Sequence, residues 1–219
     1  MSGMNHTSRD RRKLRAAMRR AAITLPAPLP GLFYLTDPDR TPDPALTSQN
    51  LPKGAGIVYR HFGAADRSEK ALELSNIAAR RGLVFLIAAD PELALQAGAH
   101  GVHWPEARRR EARRWTSAFA VQTVSAHTPA ALRRAEQIGF DAVLLSTVFP
   151  STSPSAGKAM GAVRFRRLSG VANIPVYALG GVDARTGPEI ASCGGLASIE
   201  GVETAFGETT RGEVKIATR

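Results

Sequence analysis

Residues 174–181 read IPVYALGG, a short apolar run with β-branched and aromatic side chains that ends on a pair of glycines. Such a run is typical of a fully buried strand. A glycine pair directly after a strand lets the backbone turn and approach another group closely. The next strand-like run, residues 196–199, is followed by Glu200 and then Gly201. Together these segments predict two consecutive buried strands with small residues where they end.

Similar strand-like runs recur along the chain and alternate with helix-like stretches. The predicted strands are residues 32–36, 56–60, 83–87, 101–104, 118–124 with Ser125 at the exit, 142–146, 175–179 and 196–199. The predicted helices are residues 9–22, 66–81, 91–98, 128–138 and 184–193. This alternation in 219 residues predicts parallel strands closed into a single (β/α)8 TIM barrel with a basic N-terminal helical extension. The first strand–helix connection has no GxGxxG motif, which disfavours a dinucleotide-binding fold.

Composition sets the expected domain organisation. With 43% hydrophobic residues the chain can bury one sizeable core. A single cysteine, Cys193, excludes an intrachain disulfide and suits the cytoplasm. The sequence has no apolar run of about 18 residues, which argues against a membrane span. We expect residues 1–30 to form the basic extension with a proline-rich linker, residues 31–206 the barrel, and residues 207–219 a C-terminal tail.

The basic extension allows more than one function. Against one acidic residue, Asp10, it carries Arg9, Arg11, Arg12, Lys13, Arg15, Arg19 and Arg20. Basic tracts bind nucleic acid, but no aromatic stacking platform accompanies this one, so nucleic-acid binding ranks last. A helix docked on a partner ranks higher, and a transit peptide stays open. For the second basic cluster, residues 107–114, we favour a solvated helix face.

In a (β/α)8 barrel the active site lies where the strands end, and the loops after strands seven and eight bind phosphate. The predicted phosphate site therefore comprises Gly180, Gly181, Ser198, Ile199 and Gly201. Two tight turns without a ligand are the alternative. Glu200 lies within this site, and its carboxylate would repel a phosphate unless it points away.

Three further strand exits carry candidate binding or catalytic groups. Arg60 offers paired donors to phosphate oxygens, although it could also lie along the barrel rim. His127 could act as an acid or base, or could be an ordinary hydrogen-bonded histidine beside a helix start. The hydroxyl-rich loop 149–155, with Ser151 and Ser153, leads to Lys158 and could close over a phosphate. The five histidines show no metal-ligand spacing.

Several segments together resemble thiamine-phosphate synthase and its relative, the TenI-type thiazole tautomerase. They read FYLTD (33–37), LALQAGAHGVHW (93–104), VSAHT (124–128), GFDAVLLSTVFPSTS (139–153) and IPVYALGGV (174–182). The resemblance covers about residues 31–205 and implies a (β/α)8 barrel of thiamine biosynthesis. It also implies a thiazole phosphate held by Gly180, Gly181 and the backbone of residues 198–201. Ser125, Ser151 and Ser153 match hydroxyl positions of the family, and His127 matches the TenI-type catalytic histidine. His127 and Ser125 are therefore the candidate catalytic residues.

The chain departs from the synthase pattern where the family binds the pyrimidine diphosphate. The family holds Mg²⁺ through acidic residues after strands three and four, and these positions align with Ala88-Ala89 and near Arg108. Two lysines of the family are missing as well. The lysine that flanks the second-strand arginine aligns with Phe62, and the lysine that follows the threonine-rich loop aligns with Pro154. No cofactor is predicted with certainty, since Mg²⁺ binding would require Asp90 or Glu106 to substitute.

These departures argue against ordinary synthase activity, because little would remain to stabilise a leaving diphosphate. The thiazole-phosphate half of the site is better preserved. A thiazole tautomerase, with proton transfer by His127, and a non-catalytic paralogue that binds a phosphate ligand remain open. The expected ligand is a small phosphorylated heterocycle, and a homodimer is also left open.

Overall fold

A computed structural model describes residues 3–41, 43–153 and 156–207, with side chains from residue 6 onward. Within these ranges eight parallel strands form a closed barrel, in which each strand pairs with the next and β8 pairs with β1. The strands are β1 (Leu32–Leu35), β2 (Gly56–Tyr59), β3 (Val84–Ala88), β4 (Gly101–Trp104), β5 (Val121–Ala126), β6 (Ala142–Leu145), β7 (Val176–Ala178) and β8 (Gly195–Ser198). The (β/α)8 prediction is confirmed. The predicted C-terminal tail lies outside the described residues from residue 208 onward. Pro154 also lies outside the described residues.

Helices cover the outside of the barrel. They are α1 (Gly3–Ala22), α2 (Pro44–Asn50), α3 (Arg67–Arg81), α4 (Pro91–Gln96), α5 (Pro129–Ile138), α6 (Gly161–Val171), α7 (Gly187–Ile190) and α8 (Glu200–Phe206). Two short 3-10 segments, Glu106–Arg108 and Glu111–Trp115, lie between β4 and β5. The basic cluster at residues 107–114 therefore lies on these segments rather than on an α-helix.

Helix boundaries follow ordinary capping rules. The Thr128 side chain accepts a hydrogen bond from the Ala131 amide at 3.0 Å, and Pro129 occupies the first turn of α5. Gly82 and Gly139 end α3 and α5 in the left-handed conformation. Helices α2, α6 and α8 are absent from the sequence-based prediction. In α6 a single residue, Phe165, is buried, so its sequence carries little helical periodicity.

The core has an inner and an outer layer. Inside the barrel, Phe33 and Tyr177 lie with ring centroids 5.0 Å apart. The Tyr177 hydroxyl donates to the Pro30 carbonyl at 2.6 Å. The outer layer lies between strands and helices and includes Trp104, Phe165 and Phe206, all fully buried. This filled interior leaves the strand C-terminal ends as the face available to a ligand.

Helix α1 belongs to the outer layer. Its residues Leu14, Ala17, Met18 and Ala21 are buried, and it packs against α7 and α8. The Arg11 Nε donates to the Ala205 carbonyl of α8 at 2.9 Å. Although α1 has 20 residues, none of the helices in the described ranges has the length and apolar character needed to span a membrane.

Candidate functional site

A cleft of about 870 Å³ opens at the C-terminal ends of the strands. It is lined by the predicted phosphate-binding residues Arg60, Ser151, Ser153, Gly180, Gly181, Ser198, Ile199 and Gly201. These residues come from the exits of β2, β6, β7 and β8, so barrel closure brings them together. Whether they bind a ligand stays a prediction.

The exits of β7 and β8 present backbone donors to this cleft. Among the described residues, the amides of Gly180, Gly181 and Ile199 have no hydrogen-bond acceptor. Asp183 organises the β7 loop, because its Oδ1 accepts from the amides of Arg185 and Thr186 at 2.7 and 2.8 Å. Backbone amides that face a cleft without an internal partner suit an anion such as phosphate.

The glycine pair has a packing role that differs from the one expected. Gly180 and Gly181 have φ values of 91° and 63°, and a Cβ at Gly181 would overlap the Pro150 carbonyl oxygen. The amides of Val148 and Phe149 donate to the carbonyls of Leu179 and Gly180, both at 2.9 Å. The close approach that the sequence suggested for a ligand is therefore made by the loop after β6.

The Ser198 side chain is also committed within the protein. Its hydroxyl donates to the Val182 carbonyl at 2.5 Å, and Ser198 is buried. A Cβ at Gly201 would overlap that same carbonyl oxygen. Ser198 and Gly201 thus join the β7 and β8 loops tightly, and only the backbone of this segment remains for a ligand.

Arg60 is held at the exit of β2 by residues that follow β1. Its Nε donates to the Thr36 carbonyl at 2.8 Å, and its Nη2 lies 3.1 Å from the Asp37 carboxylate. Asp37 also pairs with Arg40 at 2.7 Å, and this hydrogen bond holds the pKa of Asp37 below its ordinary value. Burial lowers the pKa of Arg60, but a guanidinium remains charged in proteins.

Glu200 contacts Arg40 and Thr152, which line the same cleft. Its Oε1 lies 3.5 Å from both Arg40 Nη1 and the Thr152 hydroxyl, and its side chain is 54% exposed. The expected repulsion of a phosphate is therefore reduced, because the carboxylate has a cationic neighbour and is exposed to solvent.

Ser125 belongs to a buried network that the sequence did not reveal. His103 lies inside the barrel, with Nε2 2.9 Å from the Ser125 hydroxyl and Nδ1 2.8 Å from the Thr123 hydroxyl. Burial lowers the pKa of His103 to about 3. The neutral ring therefore positions Ser125, since one of its nitrogens donates and the other accepts.

His127 lies in a second, adjoining pocket of about 320 Å³. Its side chain is exposed, and its Nδ1 lies 3.0 Å from the Ser146 hydroxyl. Lys158 and Arg164 line this pocket as well, so Lys158 lies beside His127 rather than in the larger cleft. Ser146 and Thr147 line both cavities. The predicted catalytic residues thus have separate partners: Ser125 contacts His103, and His127 contacts Ser146.

The exits of β3 and β4 are occupied by arginine side chains. Arg108 Nη1 donates to the Ala89 carbonyl at 2.6 Å, and Arg67 Nη2 donates to the Ala88 carbonyl at 3.0 Å. Ala89 has a φ of 59°, a left-handed conformation that alanine rarely adopts. These guanidinium groups lie where the family resemblance implies carboxylate ligands.

The Mg²⁺ ion implied by the resemblance does not fit these residues. Asp90 pairs with Arg67 at 2.6 Å and also caps α4 by accepting from the Leu93 amide at 3.0 Å. Glu106 pairs with Arg134 at 2.9 Å. Mg²⁺ needs oxygen ligands in octahedral geometry. In the part of the chain that the structure describes, no group of three or more His, Cys, Asp or Glu residues could hold a metal ion.

Comparison with known proteins agrees with the fold. The family model described as thiamine monophosphate synthase matches residues 34–202, and the chain belongs to this family. A thiamine-phosphate synthase from Alcanivorax borkumensis is 30% identical over 201 residues, covering 87% of this chain and 92% of that protein. The thiamine biosynthesis bifunctional protein ThiED from Geobacter sulfurreducens is 28% identical over 169 residues. The matched region covers 75% of this chain but only 34% of that longer protein.

Solved structures support the fold alone. A thiamine phosphate pyrophosphorylase from Pyrococcus furiosus superposes with a TM-score of 0.64 at 18% identity, covering 80% of this chain and 92% of that chain. FabK from Thermotoga maritima superposes with a TM-score of 0.63 at 14% identity, covering 79% and 58%. Because differently named proteins share this barrel, the chemistry has to be argued from the site residues.

Proposed function

We propose that this chain binds a phosphorylated thiazole in the cytoplasm and moves a proton on it, as a thiazole tautomerase would. In this proposal it does not couple the thiazole to a pyrimidine diphosphate. The observation that carries the proposal is the Arg108 guanidinium bonded at 2.6 Å to the Ala89 carbonyl. With Arg67 at Ala88, it puts guanidinium groups at the strand exits where the resemblance implies the carboxylates that a metal–diphosphate complex would need.

The phosphate half of the proposed site rests on the exits of β7 and β8. The free amides of Gly180, Gly181 and Ile199, counted among the described residues, would donate to the phosphate oxygens. Arg60, which lines the same cleft, adds a positive charge that its contacts hold in place. Hydrogen bonds from charged donors are stronger than neutral ones, which favours an anionic ligand over its neutral alcohol.

The proton-transfer half rests on His127. Its Nδ1 is held by the Ser146 hydroxyl, while its Nε2 has no partner among the described residues. A histidine oriented through one nitrogen can remove a ligand proton with the other and return it to a different atom. The step is a proton transfer within one ligand, so it needs neither a leaving group nor a metal ion.

The first experiment is isothermal titration with thiazole phosphate carboxylate in the presence of EDTA. We expect binding whose affinity does not change when Mg²⁺ replaces EDTA. Titration with the pyrimidine diphosphate and Mg²⁺ is the matched control, and we expect no binding. Binding of both compounds, together with formation of thiamine phosphate, would establish a synthase and overturn the proposal.

A non-catalytic paralogue is separated from a tautomerase by hydrogen exchange. We expect the wild-type protein to exchange a ligand proton with deuterated water, as detected by proton NMR. Tight binding without exchange would show that the site only holds the ligand.

A further inference from the structure

The large cleft extends beyond the strand exits to helix α1. His6, Asp10 and Lys13 of α1 line it together with the β7 and β8 loops. These residues are spaced four and three apart, so they lie on one face of the helix. The same face continues toward the C-terminus as a buried apolar stripe of Leu14, Ala17, Met18 and Ala21. The inward face of α1 therefore changes from apolar to polar at the level of the cleft.

The register of α1 is fixed by its contacts with α8. Besides donating to the Ala205 carbonyl, Arg11 lies over the Phe206 ring, 5.7 Å from its centroid. Arg15 lies over the same ring at 5.8 Å. The polar end of α1 is thus held beside the β8 exit, so its side chains have a defined position relative to the loop amides.

The cations that line the cleft differ in their partners. Arg40 and Arg60 both pair with Asp37. In the described part of the chain, Lys13 and Arg185 lie within salt-bridge distance of no carboxylate. The loop amides carry no net charge, and the acidic side chains of Asp10, Glu189 and Glu200 also face the cleft. An uncommitted cation would therefore strengthen the binding of a phosphate ester, because Arg40 and Arg60 share the charge of Asp37.

We propose that Lys13 binds the phosphate of the ligand and that α1 forms one wall of the phosphate site. The ligand class is a phosphate monoester, with the loop amides on one side and the Lys13 ammonium on the other. This inference rests on the proposed function, because both use the same phosphate site. It assigns a binding role to a helix that precedes the barrel in sequence.

The test compares Lys13→Gln with Arg12→Gln by titration with the thiazole phosphate. Arg12 is exposed on the same helix but does not line the cleft, so the control removes the same charge. We expect Lys13→Gln to weaken binding by about tenfold, as for loss of a charge-assisted hydrogen bond, and Arg12→Gln by less than about twofold. Lys13→Arg should retain most of the affinity. Thermal unfolding should be unchanged, since Lys13 is exposed.

The dephosphorylated thiazole alcohol is the second probe. The wild-type protein and Lys13→Gln should bind it equally, because the alcohol presents no phosphate to Lys13. Equal losses in Lys13→Gln and Arg12→Gln would overturn the inference and leave the proposed function intact. A wild-type protein that binds no phosphorylated thiazole would overturn both.

Discussion

The exits of β7–β8 and of β3–β4 lie on the same barrel mouth but offer opposite chemistry. At β7–β8, the amides of Gly180, Gly181 and Ile199 have no acceptor among the described residues. At β3–β4, Arg67 and Arg108 bond to the backbone carbonyls of Ala88 and Ala89. One region keeps its donors available, whereas the other satisfies its polar groups internally. The comparison teaches that residues outside the strands decide which exits present unpaired backbone donors and which have their carbonyls bonded to arginine.

Among the substitutions considered, Gly181→Asp should disrupt the loop after β7 most. The side chain would overlap the Pro150 carbonyl and force an unfavourable φ, so we expect loss of detectable thiazole-phosphate binding. We also expect the free energy of unfolding to fall by roughly 2–4 kcal/mol. Urea unfolding and titration calorimetry measure the two effects.

Gly54→Ala is the matched control for backbone strain. Gly54 also has a positive φ, but a Cβ there meets nothing within 4 Å. We expect a stability loss of about 1 kcal/mol and unchanged ligand affinity. If Gly181→Asp is no less stable than Gly54→Ala, the Pro150 contact is not what requires the glycine.

His127→Gln tests the proposed proton transfer by His127, which lies in the pocket that adjoins the larger cleft. We expect ligand proton exchange to slow by about 10²- to 10⁴-fold, since a general acid–base group contributes this much. Affinity should change by less than about threefold, because His127 lies outside the larger cleft. NMR exchange rates at saturating ligand check the first expectation, and calorimetry checks the second. A loss confined to affinity would make His127 a binding residue.

His103, which is buried inside the barrel, should make the stability of the fold sensitive to acid. Its pKa is about 3 in the folded protein, against an ordinary value near 6.5 in the unfolded chain. The unfolded chain therefore binds a proton first, and His103 lowers stability progressively as pH falls from about 6.5 to 3. Urea unfolding across this range should show a shallower decline for His103→Gln. Parallel curves for both proteins would contradict the assignment.

Ala89→Asn, at the exit of β3, should have the smallest effect and tests whether backbone strain matters at this position. Asparagine tolerates the left-handed conformation that Ala89 adopts, so we expect stability to rise by roughly 0.5 kcal/mol. Ala88→Asn, on the preceding strand residue, is the control and should be destabilising because Ala88 is buried. Chemical denaturation measures both changes. Destabilisation by Ala89→Asn would show that contacts, rather than backbone strain, decide this position.

Local patterns were sufficient to predict the barrel and the location of its strand exits. The runs ending near Arg60, Gly180 and Ser198 are buried strands, and their order makes the exits meet on one face. Helices α2, α6 and α8 were missed, because α2 and α8 have only seven residues each and α6 buries only Phe165. The strand 118–124 begins three residues later in the structure, at Val121.

Contacts between distant segments could not be predicted in the same way. His103 meets Ser125 across neighbouring strands, and Arg108 reaches Ala89 from a 3-10 segment. The contribution of α1 to the cleft also escaped prediction, although the spacing of His6, Asp10 and Lys13 was a readable signal. Such pairings depend on barrel closure and side-chain direction, which strand periodicity does not encode.

The sequence by itself determined the succession of the eight strands, the family and the small residues at the β7 and β8 exits. Hydrophobic periodicity, caps and glycine conformations are local, so they can be interpreted without knowing the fold. Only the tertiary structure decided which polar groups remain available. Arg60, Asp90 and Ser198 are each committed to partners from other segments, because folding satisfies buried polar groups wherever geometry allows.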